Sequence, residues 1–79
     1  MESDARLLHS VAVVVRKLRE QKKYSQEHLA AEADLSRSMI DKIERRKRLP
    51  SLPVILKIAG ALNIKASEII AKIEQEMDR

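Results

Sequence analysis

Residues 25–44 have the sequence SQEHLAAEADLSRSMIDKIE, which is the most informative part of the chain. Apolar side chains recur in it at the spacing of an amphipathic helix, in two separate runs: Leu29, Ala30 and Ala33, then Met39, Ile40 and Ile43. Leu35 lies out of phase with both runs, and the interval between them is too short for a loop. The stretch therefore predicts two short helices joined by a tight turn, a helix-turn-helix.

Serine residues stand at the start of both predicted helices. The hydroxyl oxygens of Ser25 and Ser36 can each accept a hydrogen bond from a backbone N–H of the first helical turn. Asp34 falls in the turn, where its short polar side chain tolerates a left-handed backbone better than most non-glycine residues do. Ser36, Arg37 and Ser38 then offer short donors and one long cation, which suit base edges in the major groove of DNA. We therefore expect the second helix to contact DNA.

The rest of the chain predicts three more helices, each marked by apolar residues at helical spacing. These are Leu7, Leu8, Val11, Val14, Val15 and Leu18 in the first helix, Leu52, Ile55, Leu56, Ile58, Ala59 and Leu62 in the fourth, and Ile69, Ile70, Ile73 and Met77 in the fifth. One glycine and two prolines leave little material for hairpins. We predict an all-α fold, a compact five-helix domain over residues 1–79, with the helix-turn-helix at about 25–45 and the fifth helix at about 66–77.

The composition argues against several classes of protein. A chain of 79 residues suffices for one domain, which buries about 60% of its unfolded surface. There is no cysteine, and His9 and His28 have no carboxylate or cysteine arranged around them at ligand spacing. Neither a glycine-rich phosphate loop nor a nucleophile elbow is present. We therefore expect no metal, no cofactor and no enzymatic activity.

Hydropathy gives no sign of a membrane or export signal. The longest apolar run, residues 11–15, is far shorter than a membrane span. Glu2 and Asp4 stand where a signal peptide would have a basic segment. We expect a soluble, cytoplasmic protein that does not bind membranes.

Charge is distributed unevenly along the chain. The net charge is only +4, but residues 37–48 hold six basic and two acidic side chains, whereas residues 68–79 hold two basic and four acidic ones. Solvated surface charges would be mixed more evenly than this. The basic segment therefore predicts a localised anion-binding surface.

These features together resemble the Cro and phage lambda repressor family of helix-turn-helix regulators, also called the XRE family, over about residues 12–71. The residues that carry the resemblance are Arg19, Tyr24-Ser25-Gln26, Leu29-Ala30, Ala33, Leu35-Ser36, Ile40, Ile43-Glu44, Pro50-Ser51-Leu52, Leu56-Lys57-Ile58-Ala59, Ala61-Leu62 and Ile64. The resemblance implies a lambda repressor-like DNA-binding fold. It is shared by small restriction-modification controller proteins, by phage repressors and by antitoxins, and it does not single out one of these.

The resemblance also implies roles for individual residues. The base-contacting positions are Ser36, Arg37, Ser38, Asp41 and Lys42, and the phosphate-contacting positions are Ser25, Gln26, Arg45, Arg46, Lys47 and Arg48. Arg19 and Glu44 correspond to an ion pair that orients the recognition helix. Lys42 suits a base or a phosphate equally. For Arg37 and Asp41 the alternative is a solvated pair at i, i+4.

Two positions depart from the family pattern. Arg46 stands where the family usually has glycine in a left-handed conformation at the end of the third helix. It must either adopt that strained conformation or end the helix differently. Asp34 stands where the family usually has glycine or a small residue in the turn.

The fifth helix has more apolar surface than a four-helix core needs. Ile70 and Ala66 can complete that core, which leaves Ile69, Ile73 and Met77 as candidates for a two-fold dimer interface. The alternative is that all three close the core of the monomer. We expect a sequence-specific regulator that binds double-stranded DNA as a homodimer on a palindromic operator. The competing hypothesis is an antitoxin-like module that binds a protein partner.

Overall fold

The computed structural model describes residues 2–79, with side chains from residue 4 onward, and places five helices along them. They are α1 (Glu2–Gln21), α2 (Gln26–Ala33), α3 (Arg37–Glu44), α4 (Leu52–Leu62) and α5 (Ala66–Met77). The described residues contain no strand. The predicted all-α, five-helix fold and its helix-turn-helix, formed by α2 and α3, are therefore confirmed.

Serine hydroxyls begin three of the helices, as their positions in the sequence predict. The Oγ atoms of Ser25, Ser36 and Ser51 accept hydrogen bonds from the backbone N–H of the third residue of α2, α3 and α4, at 2.9, 3.1 and 3.3 Å. Each bond satisfies a donor that the helix itself leaves unpaired. The serines thereby fix where the two short helices of the helix-turn-helix begin.

The first four helices end in the same way, on a non-glycine residue with a positive φ. These residues are Lys23, Asp34, Arg46 and Asn63, with φ of 61°, 56°, 62° and 58°. After each of them, the next backbone N–H bonds back to a carbonyl five residues earlier, as Leu35 does to Ala30 at 2.8 Å. This closes the last turn and reverses the chain sharply. Arg46 thus adopts the strained conformation, and its N–H bonds to the carbonyl of Ile43 at 3.2 Å.

The core is aliphatic and joins all five helices. Its fully buried side chains are Val15, Leu29, Ile40, Ile43, Ile58, Leu62 and Ile69. The longest helix, α1, packs against α3 on one side and α5 on the other, while α2 packs against α3 and α4. The helix-turn-helix therefore rests on α1 and α4, and α5 closes the opposite side of the molecule.

The structure corrects the prediction for the apolar face of α5. Ile69 is fully buried and Ile73 is 5% exposed within the core of one chain, while Ile73 and Met77 also line an apolar cleft beside Ile70. Met77 is half-buried against the same core. Ile70, predicted to complete the core, is 43% exposed instead. The physical reason is rotation: consecutive residues on a helix point 100° apart, and α1 and α4 meet α5 on the side of Ile69.

A similar correction applies to α4. Leu52 and Leu56 were predicted to be buried, but they are 67% and 55% exposed. Ile55, Ile58, Ala59 and Leu62 fill the core side of this helix as predicted. One edge of the predicted apolar stripe therefore faces solvent.

The left-handed conformation of Arg46 gives a test of local strain. This conformation costs a non-glycine residue about 1 to 2 kcal/mol, whereas glycine loses roughly 0.5 to 1 kcal/mol more backbone entropy on folding. Arg46→Gly is therefore expected to raise the free energy of unfolding by about 0.5 to 1 kcal/mol in urea denaturation.

Lys47→Gly is the matched control, because it removes the same charge from a residue without a positive φ. It is expected to lower the free energy of unfolding. Equal effects of the two substitutions would contradict a strained Arg46.

Candidate nucleic-acid interface

The outer face of α3 presents the residues that the sequence predicts as base contacts. Ser36, Arg37, Ser38 and Lys42 are exposed and Asp41 is half-exposed. Ile40 and Ile43, on the opposite face of the helix, are fully buried. Burial of this apolar side fixes the helix on the body of the domain, so the polar side points to solvent.

Asp41 has a different partner from the one that its sequence spacing suggested. Its carboxylate lies 3.6 Å from a terminal nitrogen of Arg45, one turn toward the end of α3. No ion pair with Arg37 is found in residues 4–79. Both partners are well exposed, and such surface pairs contribute at most about 1 kcal/mol. The guanidinium of Arg37 therefore extends from the first turn of α3 without an acidic partner in that range.

A short cationic segment follows α3. Arg45, Arg46, Lys47 and Arg48 are all exposed, and the sharp turn at Arg46 carries the chain away from the helix axis. These four side chains extend the basic surface beyond α3. Such an arrangement suits contact with the regularly spaced phosphates of a nucleic-acid backbone.

The beginning of α2 lies beside the beginning of α3. A cleft between them is lined by Ser25, Gln26, Glu27, Arg19 and Arg37. The backbone N–H groups in the first turn of α2 carry partial positive charge, which favours an anion there. The structure thus brings Gln26, a predicted phosphate contact, and Arg37, a predicted base contact, to one cleft.

A buried carboxylate, that of Glu44, holds this arrangement together. Its side chain is fully buried at the end of α3. Arg19 donates from Nε to one carboxylate oxygen at 2.7 Å and from a terminal nitrogen to the other at 2.9 Å. The remaining terminal nitrogen of Arg19 donates to the backbone carbonyl of Tyr24 at 2.8 Å, which ties down the segment before α2.

Two further side chains reach the same carboxylate. Gln26 donates from its side-chain amide to Oε1 of Glu44 at 3.2 Å, and Arg16 donates to the same atom from Nε at 3.4 Å. Glu44 thereby links α3 to α1 and to the first residue of α2. The link to α1 through Arg19 is the ion pair that the family resemblance implies, whereas the hydrogen bond from Arg16 was not predicted from the sequence. The signal for Arg16 was available, since it lies three residues before Arg19 and so on the same face of α1.

An aromatic stack, also missed at the sequence level, supports the entry to α2. The rings of Tyr24 and His28 lie 4.1 Å apart and nearly parallel. The imidazole of His28 is also 3.6 Å from the carboxylate of Glu32, four residues further along. His28 and Glu32 have the i, i+4 spacing of neighbours on one helix face, whereas Tyr24 lies two residues before α2. The stack restricts the position of Tyr24, whose backbone carbonyl accepts a hydrogen bond from Arg19.

The pKa of Glu44 follows from these contacts. Burial raises the pKa of the carboxyl, but the hydrogen bonds from Arg19 and Gln26 and the charge of Arg19 together outweigh burial, so the pKa lies below its ordinary value of 4.5. The hydrogen bond to Glu44 in turn raises the pKa of Arg19. The pair is therefore ionised at neutral pH.

Glu44→Gln tests how far the helix-turn-helix depends on this carboxylate. The substitution leaves the nearly buried Arg19 without its counter-charge, which typically costs about 3 to 5 kcal/mol. We expect a loss of that order in the free energy of unfolding at neutral pH, measured by urea denaturation. Glu32→Gln, which removes a carboxylate that is 54% exposed, is the control and is expected to have little effect.

The same variant has a pH signature. Because the pKa of Glu44 is lower in the folded chain than in the unfolded one, its contribution to stability is complete above pH 4.5 and is lost as the pH falls through the folded pKa. Glu44→Gln is therefore expected to lose less stability in acid than the parent. Identical acid dependence of the two proteins would contradict the lowered pKa.

Other kinds of site are not found in the described part of the chain. Residues 2–79 contain no group of three or more histidine, cysteine, aspartate or glutamate side chains placed to hold a metal ion. Over the same range, no helix has the length and apolar character that a membrane crossing requires.

Comparison with known sequences gives one consistent result. The helix-turn-helix family matches residues 15–69. The control protein C.MunI of Mycoplasma sp is 43% identical over 63 residues, a match that covers 78% of this chain and 85% of that protein. The immunity repressor protein of Bacillus phage phi105 is 40% identical over 58 residues, which is 73% of this chain but 40% of the phage protein.

Comparison with solved structures agrees. The restriction-modification controller protein C.Esp1396I, solved as a tetramer in complex with its natural 35 base-pair operator, superposes with a TM-score of 0.83 and 29% identity, covering 92% of this chain and 96% of that one. The expected resemblance is thus confirmed by sequence and by structure. The chain belongs to the helix-turn-helix (XRE-type) family of DNA-binding transcriptional regulators.

Proposed function

We propose that this protein is a cytoplasmic, non-enzymatic regulator that binds double-stranded DNA in a sequence-specific manner, as a homodimer on a palindromic operator. The observation that carries the proposal is the exposed polar face of α3, which lies between the start of α2 and the cationic segment at residues 45–48. Residues 1–79 would act as one DNA-binding domain. The relatives that are control proteins and a phage repressor support a regulatory role.

In this proposal α3 enters the major groove and contacts bases. Arg37, in its first turn, can donate two parallel hydrogen bonds to a guanine, which is worth about 1 to 3 kcal/mol of discrimination. Ser36 and Ser38 add short donors on either side of it. Lys42 lies further along the exposed face, and the partly exposed Asp41 disfavours phosphate and rejects bases that offer it no donor.

Phosphate contacts would flank the base contacts on both sides. Ser25 and Gln26 contribute the start of α2, and the cations of residues 45–48 contribute the other flank. Contacts to phosphate position the protein on the duplex without selecting a sequence. Their energy therefore depends on salt, whereas that of the α3 contacts depends on base identity.

The proposed dimer interface is an apolar surface at α4, α5 and the residues just before α4. Four large apolar side chains are exposed in these segments, namely Leu49, Leu52, Leu56 and Ile70, at 37%, 67%, 55% and 43%. Leu49, Ile70 and Met77 border one apolar cleft, which Ile55 of α4 also lines, and Leu52 and Leu56 lie one turn apart on the same helix as Ile55. We call the four exposed residues the α4–α5 patch and propose that a second copy covers it.

Arg37→Ala tests base recognition by α3. The binding sequence is first selected from random duplexes with the parent protein, and both proteins are then compared on every single-base variant of that sequence. We expect the variant to lose discrimination at one or two positions, by about 1 to 3 kcal/mol, with an unchanged Tm because the side chain is exposed.

Arg79→Ala is the control, because it removes an exposed arginine that follows α5. It is expected to keep the base preferences of the parent. If Arg37→Ala discriminates as the parent does at every position, Arg37 contacts no base.

Ile70→Asp tests the α4–α5 patch. The side chain is exposed in the single chain, so the variant is expected to fold, but two buried carboxylates would face each other in a symmetric interface. We expect the parent to sediment as a dimer at low micromolar concentration and the variant as a monomer with weakened binding to the palindrome. Gln75→Asp, an exposed position of α5, is expected to remain dimeric.

A parent that is monomeric and binds single half-sites as tightly as palindromes would contradict the homodimer. If, in addition, it bound no duplex, the antitoxin-like alternative, in which the α4–α5 patch receives a protein partner, would replace the proposed function.

A further inference from the structure

Two arginines of α1 hold the carboxylate of Glu44, and they hold it in very different ways. Arg19 uses all three of its nitrogens, two on Glu44 and one on the carbonyl of Tyr24, and its side chain is only 13% exposed. Arg16 uses Nε alone, at the longer distance of 3.4 Å, and its side chain is 52% exposed. Within the described part of the chain, neither terminal nitrogen of Arg16 takes part in a hydrogen bond.

Charge balance separates the two residues further. Glu44 carries one negative charge, and Arg19 alone is enough to neutralise it with good geometry. Arg16 therefore adds a positive charge that the buried site does not need. Because Nε is held by Glu44 while half of the side chain is exposed, the guanidinium is already partly immobilised and would lose less conformational freedom on binding a ligand than an unattached surface arginine would.

The guanidinium of Arg16 is positioned by an oxygen atom of Glu44 that also binds Gln26. Oε1 of Glu44 accepts from Arg16 and from the amide of Gln26. Arg16 therefore lies near Gln26, the first residue of α2, and Gln26 in turn lines the cleft that also contains Arg37. That helix start favours an anion, and an arginine guanidinium can bind one phosphate oxygen pair through two parallel N–H groups.

We infer that Arg16 is a further DNA contact, which binds a backbone phosphate next to the one at the start of α2 while Glu44 holds its Nε. This inference rests on the proposed function. It adds a residue of α1 to an interface otherwise formed by α2, α3 and the segment that follows them. The expected ligand is the phosphodiester of duplex DNA, and the contact is independent of base sequence.

Arg16→Gln tests the inference with Lys17→Gln as the matched control. Lys17 is the next residue, is also exposed and carries the same charge, but it lies on the side of α1 that faces Lys72 of α5. Affinity for the selected duplex and for an unrelated duplex is measured over a series of salt concentrations. Tm is measured alongside.

We expect Arg16→Gln to weaken binding to both duplexes by a similar factor and to reduce the slope of log affinity against log salt by about one. Lys17→Gln is expected to keep the slope of the parent. Arg16→Lys, which retains the charge, is expected to restore most of the slope. An unchanged Tm in Arg16→Gln would show that Arg19 and Gln26 suffice to hold Glu44.

Three results would overturn the inference. An unchanged slope in Arg16→Gln would show that Arg16 contacts no phosphate, while the proposed function would stand on the parent's binding. An equal loss of slope in Lys17→Gln would show that the effect of Arg16→Gln comes from the change in net charge and not from a lost phosphate contact. A parent that binds neither duplex would remove the proposed function itself, and the inference with it.

Discussion

The carboxylate of Glu44 accepts hydrogen bonds from α1 and α2 while its own backbone ends α3, and the orientation of the helix-turn-helix depends on it. The helices α2 and α3 have eight residues each, too few to be stable alone in water. Their positions must therefore come from tertiary contacts. Burial of Leu29, Ile40 and Ile43 stabilises the packing of the two helices but does not fix their orientation, because the hydrophobic effect is non-directional. The charged hydrogen bonds to Glu44 require a particular distance and angle between donor and acceptor, and they therefore fix that orientation.

This interaction also explains why a charged group is kept in the core of so small a domain. Intact buried ion pairs contribute little net stability, because desolvation offsets most of the attraction. What the pair contributes here is geometry, since the same carboxylate fixes Gln26 at the start of α2 and, as proposed, Arg16 beside it. An apolar replacement could restore stability and would still leave those two donors without a common anchor.

Much of this fold could be predicted from local chemistry, because local chemistry decides it. The serine caps, the turn at Asp34 and the apolar runs of α2 and α3 each act within one or two helical turns. The side of α5 that faces the core could not be predicted, since Ile69, Ile70 and Ile73 are chemically equal and only the positions of α1 and α4 distinguish them. Residue patterns alone do not place the contact of Gln26 with Glu44, because it joins residues that are 18 apart through a carboxylate that accepts four hydrogen bonds.

The rotation of α5 has a consequence for how the proposed dimer would set its spacing on DNA. With Ile69 and Ile73 facing inward, α5 packs against α1 and α4. In turn, α1 packs against α3, and α4 packs against α2. Ile70 is left exposed, at an apolar cleft that Leu49 also borders. The α4–α5 patch and α3 are attached to the same aliphatic core, and protein cores are too densely packed to deform smoothly. Two chains joined at the patch would hold their α3 helices at one fixed distance, and a two-fold operator requires that distance to be about one turn of DNA, roughly 34 to 36 Å.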